Sequence, residues 1–110
     1  AALERVLADP AAFGTETAAK SQYLIAETWF LQEKWKEAFL AYQKVYASYK
    51  FPEWQAAALL QSGLCDEHLK QPADAIQSYD QLIAEFPAST HVAEATRRKA
   101  LLQSRTGTGS

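Results

Sequence analysis

The chain has 110 residues, 48% of them hydrophobic, 22% charged and 12% aromatic, with 11 Lys and Arg against 13 Asp and Glu. Its net charge of −2 is too small and of the wrong sign for coating nucleic acid or an anionic membrane, and no apolar run approaches the roughly 20 residues that span a bilayer. The length suits one domain with a single core, and the lone cysteine, Cys65, excludes an intrachain disulfide framework and a multi-cysteine zinc site.

Opening on Ala1-Ala2-Leu3 without an initiating Met, the chain reads as an excised or processed piece, with any signal peptide or anchor expected outside it. Ala, Leu, Gln, Glu and Lys dominate up to Arg105, and these residues lose least on entering a helix. No strand-length stretch alternates apolar with polar residues. The expected class is all-α.

In chain order, a short helix is expected over 2–8, with Pro10 as a break. The next spans about 16–33, where Thr15 ahead of Glu16 gives a start signal. Over about 35–50, Trp35, Ala38, Phe39, Tyr42, Val45, Tyr46 and Tyr49 recur at three- and four-residue steps and form one apolar stripe. Pro52 followed by Glu53 opens a helix over about 53–70. Pro72 followed by Asp74 opens another over about 73–86, striped by Ala75, Ile76, Tyr79, Leu82, Ile83 and Phe86. Pro87 with Ser89, Thr90 and Glu94 opens the last, about 89–105, and residues 106–110, with Gly107 and Gly109, read as a flexible tail. Lys34, Lys50 and Lys70 fall where helices should end, at the negative pole of each dipole.

The join at Glu33-Lys34 has neither Gly nor Pro, so one rod could run through Trp35 to residue 50. Internal similarity argues for a break. Trp35–Val45 overlays Pro72–Leu82 at an offset of 37, with an acidic residue, Ala, a large apolar residue and Tyr coinciding. Each copy then reaches Phe-Pro, at Phe51-Pro52 and Phe86-Pro87. Trp35 aligns with Pro72, and a proline cannot sit in mid-helix. A period near 35 built from two helices marks a helical-hairpin array.

At these residues the chain resembles the tetratricopeptide repeat family. Ala26, Ala38, Tyr42 and Pro52 fill the family's small, small, aromatic and proline places in one unit; Gly63, Ala75, Tyr79 and Pro87 fill them in the next. The departures are Asp66, where the first helix of unit two should carry an aromatic, and a two-residue extension in unit one. The resemblance covers about 18–105. It implies a right-handed stack of antiparallel helical hairpins, a tetratricopeptide-like α-solenoid of about two and a half repeats plus the short N-terminal helix. Residues 1–105 would form this single domain, with units at about 18–52 and 53–87 and a half unit at 88–105. Gly63 and Ala26 fall where paired helices must approach closely, and Tyr42 and Tyr79 would fill the space between hairpins. Segments 51–65 and 75–87 look like repeats of large bacterial cell-envelope proteins, which implies a periplasmic or envelope setting.

No catalytic constellation is legible. Asp66, Glu67 and His68 are consecutive, and neighbours one or two apart on a helix point in different directions. His91 and Glu94 share a face but lack a third ligand, so a capping turn is the expected role. Cys65 has no adjacent cation to activate it and reads as a small core residue. Arg97, Arg98 and Lys99 spread around their helix and make no nucleic-acid stripe. Neither cofactor nor metal is expected, and the chain reads as a non-enzyme.

In the resembled family, the first helix of each unit lines a concave groove that receives a peptide or helix. Carrying the register over places Tyr23, Glu27 and Phe30, then Leu60, Leu64 and His68, then Arg98, along that groove. The implied function is a protein–protein interaction scaffold that binds a partner peptide or helix by burying its apolar anchors. The alternative is a structural spacer or self-assembly segment of a longer array, with a homo-oligomer as one form of it and these side chains covered by helix 2–8 or by further repeats. No nucleic acid and no direct membrane insertion are expected.

Overall fold

A computed structural model describes residues 15–107. The helix expected over 2–8 and the last three residues of the expected tail lie outside that range. Among the described residues the architecture is all-helical: α1 (Glu16–Leu31), α2 (Trp35–Ser48), α3 (Pro52–His68), α4 (Pro72–Glu85) and α5 (Val92–Gly107). Each helix packs chiefly on its sequence neighbours, and α1 also meets α3. The arrangement is a stack of antiparallel hairpins, α1 with α2 and α3 with α4, closed by α5.

The break before Trp35 is real, and its cause is local. Glu33 adopts φ 60° and Lys70, 37 positions on, adopts φ 62°. After α1, the Glu33 N–H donates to the Phe30 carbonyl (2.9 Å) and the Lys34 N–H to the Trp29 carbonyl (3.0 Å). After α3, the Lys70 N–H reaches Glu67 (3.1 Å) and the Gln71 N–H reaches Asp66 (2.9 Å). Both turns are Schellman motifs with a non-glycine residue in the left-handed position, where glycine is usual. That is why no Gly or Pro punctuates the first join. It also ends α1 and α3 two residues earlier than expected, and Lys34 precedes α2 instead of closing α1.

Starts follow the sequence closely. Thr15 Oγ1 accepts the Ala18 N–H at 3.1 Å, capping α1, and Pro52 and Pro72 sit in the first positions of α3 and α4. The last helix begins at Val92, three residues late. Ser89 Oγ accepts the His91 N–H at 3.0 Å and the Ser89 carbonyl accepts the Val92 N–H at 3.2 Å, so residues 89–91 form turns before the helix proper. At its other end α5 runs through Gly107, two residues into the expected tail.

Helix α3 is the centre of the stack. Ala56, Ala58, Leu59 and Cys65 are fully buried, and Gly63 lies directly under the Tyr79 ring. Tyr42 and Tyr79, at 1% and 0% exposure, occupy equivalent places, one over Ala26 and one over Gly63. Small residues in one helix thus admit an aromatic ring from the next.

Candidate functional site

The faces of α1 and α3, together with Trp35 and Tyr42 of α2, carry a row of rings. Tyr23 lies 5.3 Å from Tyr42 and 5.4 Å from Trp54 between centroids. Phe30 lies 4.9 Å from Trp35, 6.4 Å from Tyr42 and 6.0 Å from His68, each time edge-on. At the far end, His68 stacks flat on Trp35, with centroids 3.8 Å apart and planes 6° apart. Such pairs each contribute about 0.5–1.5 kcal/mol beyond area burial, so the row ties α1, α2 and α3 together. Tyr42 lies buried beneath it, Tyr23, Phe30, Trp35 and Trp54 are half-buried, and His68 is exposed. Burial, then the charge of Glu27, pushes the Tyr23 hydroxyl up to about 12, so it remains a neutral donor at physiological pH.

Of the seven residues expected to line a groove, Tyr23, Glu27, Phe30, Leu64 and His68 retain accessible surface on α1 and α3. Leu60 does not serve as an exposed anchor. It is 7% exposed and belongs to the core with Tyr79, Leu82, Ala95 and Leu102, because α5 covers that side of α3. Arg98 is likewise engaged. Its guanidinium grips the Glu67 carboxylate in two-pronged fashion, Nη2 to Oε1 and Nε to Oε2 (3.1 Å), tying α5 to α3. The Tyr79 hydroxyl donates to the same carboxylate at 2.5 Å. Burial would raise the Glu67 carboxyl, but the hydrogen bonds from Arg98 and Tyr79 and the Arg98 charge outweigh it and hold the group below its ordinary range.

Asp66, Glu67 and His68 diverge as helical geometry requires: Asp66 toward α2 and α4, Glu67 toward α5, His68 onto Trp35. The three consecutive cations of α5 also part company, Arg97 to Glu94, Arg98 to Glu67 and Lys99 to Asp80 at 2.5 Å. Burial, then the Asp66 charge, pushes the Cys65 thiol up to about 12, far from a reactive thiolate. Among the described residues no group of three or more His, Cys, Asp or Glu is placed to hold a metal ion, and no helix is long and apolar enough to cross a membrane. Sequence register does not bring Trp35 and Trp54 into this row, nor set Glu67 against α5. For Trp54 the available signal was an aromatic one turn into a proline-started helix; for Glu67 there was none, since its partner lies 31 residues away.

Residues 57–89, which take in most of α3, all of α4 and the following turn, match the model of the tetratricopeptide repeat family. The α3–α4 hairpin thus has the support of a tetratricopeptide repeat. Comparison with curated proteins and with solved structures finds no match. Tetratricopeptide repeats generally mediate protein–protein interaction and are typically non-enzymatic scaffolds. The geometry agrees with that reading at Gly63, whose missing side chain is what lets Tyr79 of the α3–α4 hairpin close on α3.

Proposed function

We propose that the chain is a protein-interaction module that seats an extended peptide or helix of a partner protein across the α1 and α3 faces. The observation that carries this reading is the row of half-buried rings, ending where the exposed His68 stacks on Trp35. Rigid aromatic surface of this kind takes up apolar anchors at low entropic cost, while Glu27 beside Tyr23 offers a charge to set orientation. Leu64 would meet the partner directly; Leu60 and Arg98 would act from behind, as core and as inter-helix clamp. The likeness of segments 51–65 and 75–87 to envelope repeat proteins favours a bacterial envelope setting.

The test is selection of peptides from a displayed library on the wild-type chain, followed by titration against Leu64→Asp and Phe30→Ala. Circular dichroism checks that both variants fold. Selected peptides should lose about tenfold or more in affinity for Leu64→Asp, since a charge placed among apolar contacts costs more than 1.4 kcal/mol. Equal affinity for wild type and both variants overturns the groove.

One observation favours the spacer or self-assembly reading. Ala100 follows Ala26 and Gly63 at the same 37-residue step, yet it is exposed, as is Leu101 at 42%. In that reading a further hairpin seats its aromatic residue there. Sedimentation of wild type beside Ala100→Arg checks it: a wild-type oligomer that the variant dissolves supports self-assembly, and a monomer in both refutes it.

A further inference from the structure

Asp66 stands one repeat after Trp29, which is half-buried against the cluster of Ala26, Ala38 and Tyr42. Where the first hairpin places an indole, the second places a short carboxylic acid, and the difference in volume is left as space. A cleft of about 580 Å³ opens there, lined from α2, the C-terminal end of α3 and α4, with no residue from α1 or α5. It is therefore separate from the aromatic row.

Within the cleft Asp66 is 3% exposed. Among the described residues no side chain or backbone group hydrogen-bonds or ion-pairs with its carboxylate. No fully enclosed side-chain oxygen or nitrogen lacks a partner among them either, so the free Asp66 oxygens must open onto the cleft. Phe39, Leu40 and Leu69 supply apolar wall, Gln77 an amide, and Asp74 a second carboxylate. Lys36, the one cation on the lining, pairs with neither acid.

A carboxylate nearly removed from water and left unpaired is costly, and a cation brought to it recovers much of that cost through a charge-assisted hydrogen bond. Apolar walls beside the acid suit a carbon stem and not a hydrated metal ion. We propose that this cleft binds a guanidinium or primary ammonium group on an aliphatic stem, with the Asp66 carboxylate as its anchor. A planar guanidinium can engage both Asp66 oxygens at once, and Asp74 adds attraction at longer range.

Proton linkage follows from the same placement. Burial, then the charge of Asp74, pushes the Asp66 carboxyl up to about 6. The charged groups facing it from the packed elements are Asp74 on α4 and Lys36 on α2. A bound cation stabilises the ionised form, so binding expels the Asp66 proton, and affinity falls as pH drops through this range.

The experiment titrates the 110-residue chain with agmatine and with the peptide acetyl-Leu-Arg-Leu-amide, followed by amide NMR at about pH 7.5 and again at about pH 5. Expected are saturable shifts centred on Asp66, Asp74 and Gln77, weaker binding at the lower pH, and a loss of about tenfold or more in Asp66→Asn. Asp66→Asn removes an unpaired buried charge and so leaves the fold intact, and Glu37→Gln, at an exposed acid outside the cleft lining, should bind both probes as wild type does. A peptide held more tightly than agmatine assigns the site to a partner's arginine; equal affinity assigns it to a free amine or guanidine. Shifts that fail to saturate, that persist undiminished in Asp66→Asn, or that scatter over exposed acids such as Glu37 and Asp80 overturn the proposal.

Discussion

Replacing Gly63 by Ala adds one carbon where the molecule has no room. A Cβ built there would lie 2.3 Å from Tyr79 Cε1, 2.6 Å from Cζ and 2.9 Å from Cδ1, against the 3.5–4.0 Å that carbon pairs prefer. The ring must therefore move by about 1 Å or more. It is fully buried, and its hydroxyl is held by Glu67, which also anchors Arg98. Overpacking costs about 1–3 kcal/mol, and loosening a hydrogen bond to a carboxylate costs about 1.5–3 kcal/mol. Alanine returns about 1 kcal/mol of helix propensity. The net expectation is a loss of about 2–4 kcal/mol, or a melting point lower by about 10–25 °C for a domain of this size. Urea and thermal denaturation of wild type, Gly63→Ala, Tyr79→Leu and the double variant measure it. With no ring to strike, Gly63→Ala in the Tyr79→Leu background should be neutral or stabilising by up to about 1 kcal/mol. The same loss in both backgrounds, or a stabilised single variant, would refute the steric argument.

Three further outcomes are expected. The folded state retains the Asp66 proton up to about pH 6, above the ordinary carboxyl value near 3.9, so stability should fall as pH rises between these values. Asp66→Asn should abolish that fall and raise stability at neutral pH by on the order of 1–3 kcal/mol, measured by urea denaturation across pH. Lys70→Gly relieves the left-handed backbone at φ 62° and should stabilise by about 0.5–1 kcal/mol, since the relief exceeds the added chain entropy; Lys70→Val should destabilise, and thermal melts separate the two. Arg98→Ala leaves the Glu67 carboxylate, 10% exposed, without its cation and should cost about 1–3 kcal/mol, less than a fully buried pair because Arg98 is 25% exposed. Because the pair depresses the Glu67 carboxyl, its stabilisation should be lost in wild type as pH falls below the ordinary carboxylate range, and that acid dependence should shrink in the variant.

Much of the scaffold was legible because periodicity acts locally. The stripe of α2, the proline starts of α3 and α4 and the cap at Thr15 each concern residues within a turn or two of one another. The break at Glu33 was legible only through its repeat, since a glutamate in the left-handed conformation leaves no mark in composition. The candidate groove was less legible. Tyr23, Phe30 and His68 were placed together by register, but register fixes only the direction in which a side chain leaves its helix, not whether another helix then covers it. Leu60 was covered by α5, and Arg98 was drawn to Glu67.

By itself, then, the sequence determined that the chain forms helices, where the first four described ones start, that two units repeat at a 37-residue step, and that a small residue in one helix faces a tyrosine in the next. Those are consequences of backbone propensity and of spacing along one helix. Tertiary structure decided which face of α3 became core and which stayed open, stacked His68 on Trp35 across 33 residues, and left Asp66 buried without a partner. These depend on which side chains meet across helices far apart in the chain, and the volume and charge available at such a meeting exist only once the helices have packed.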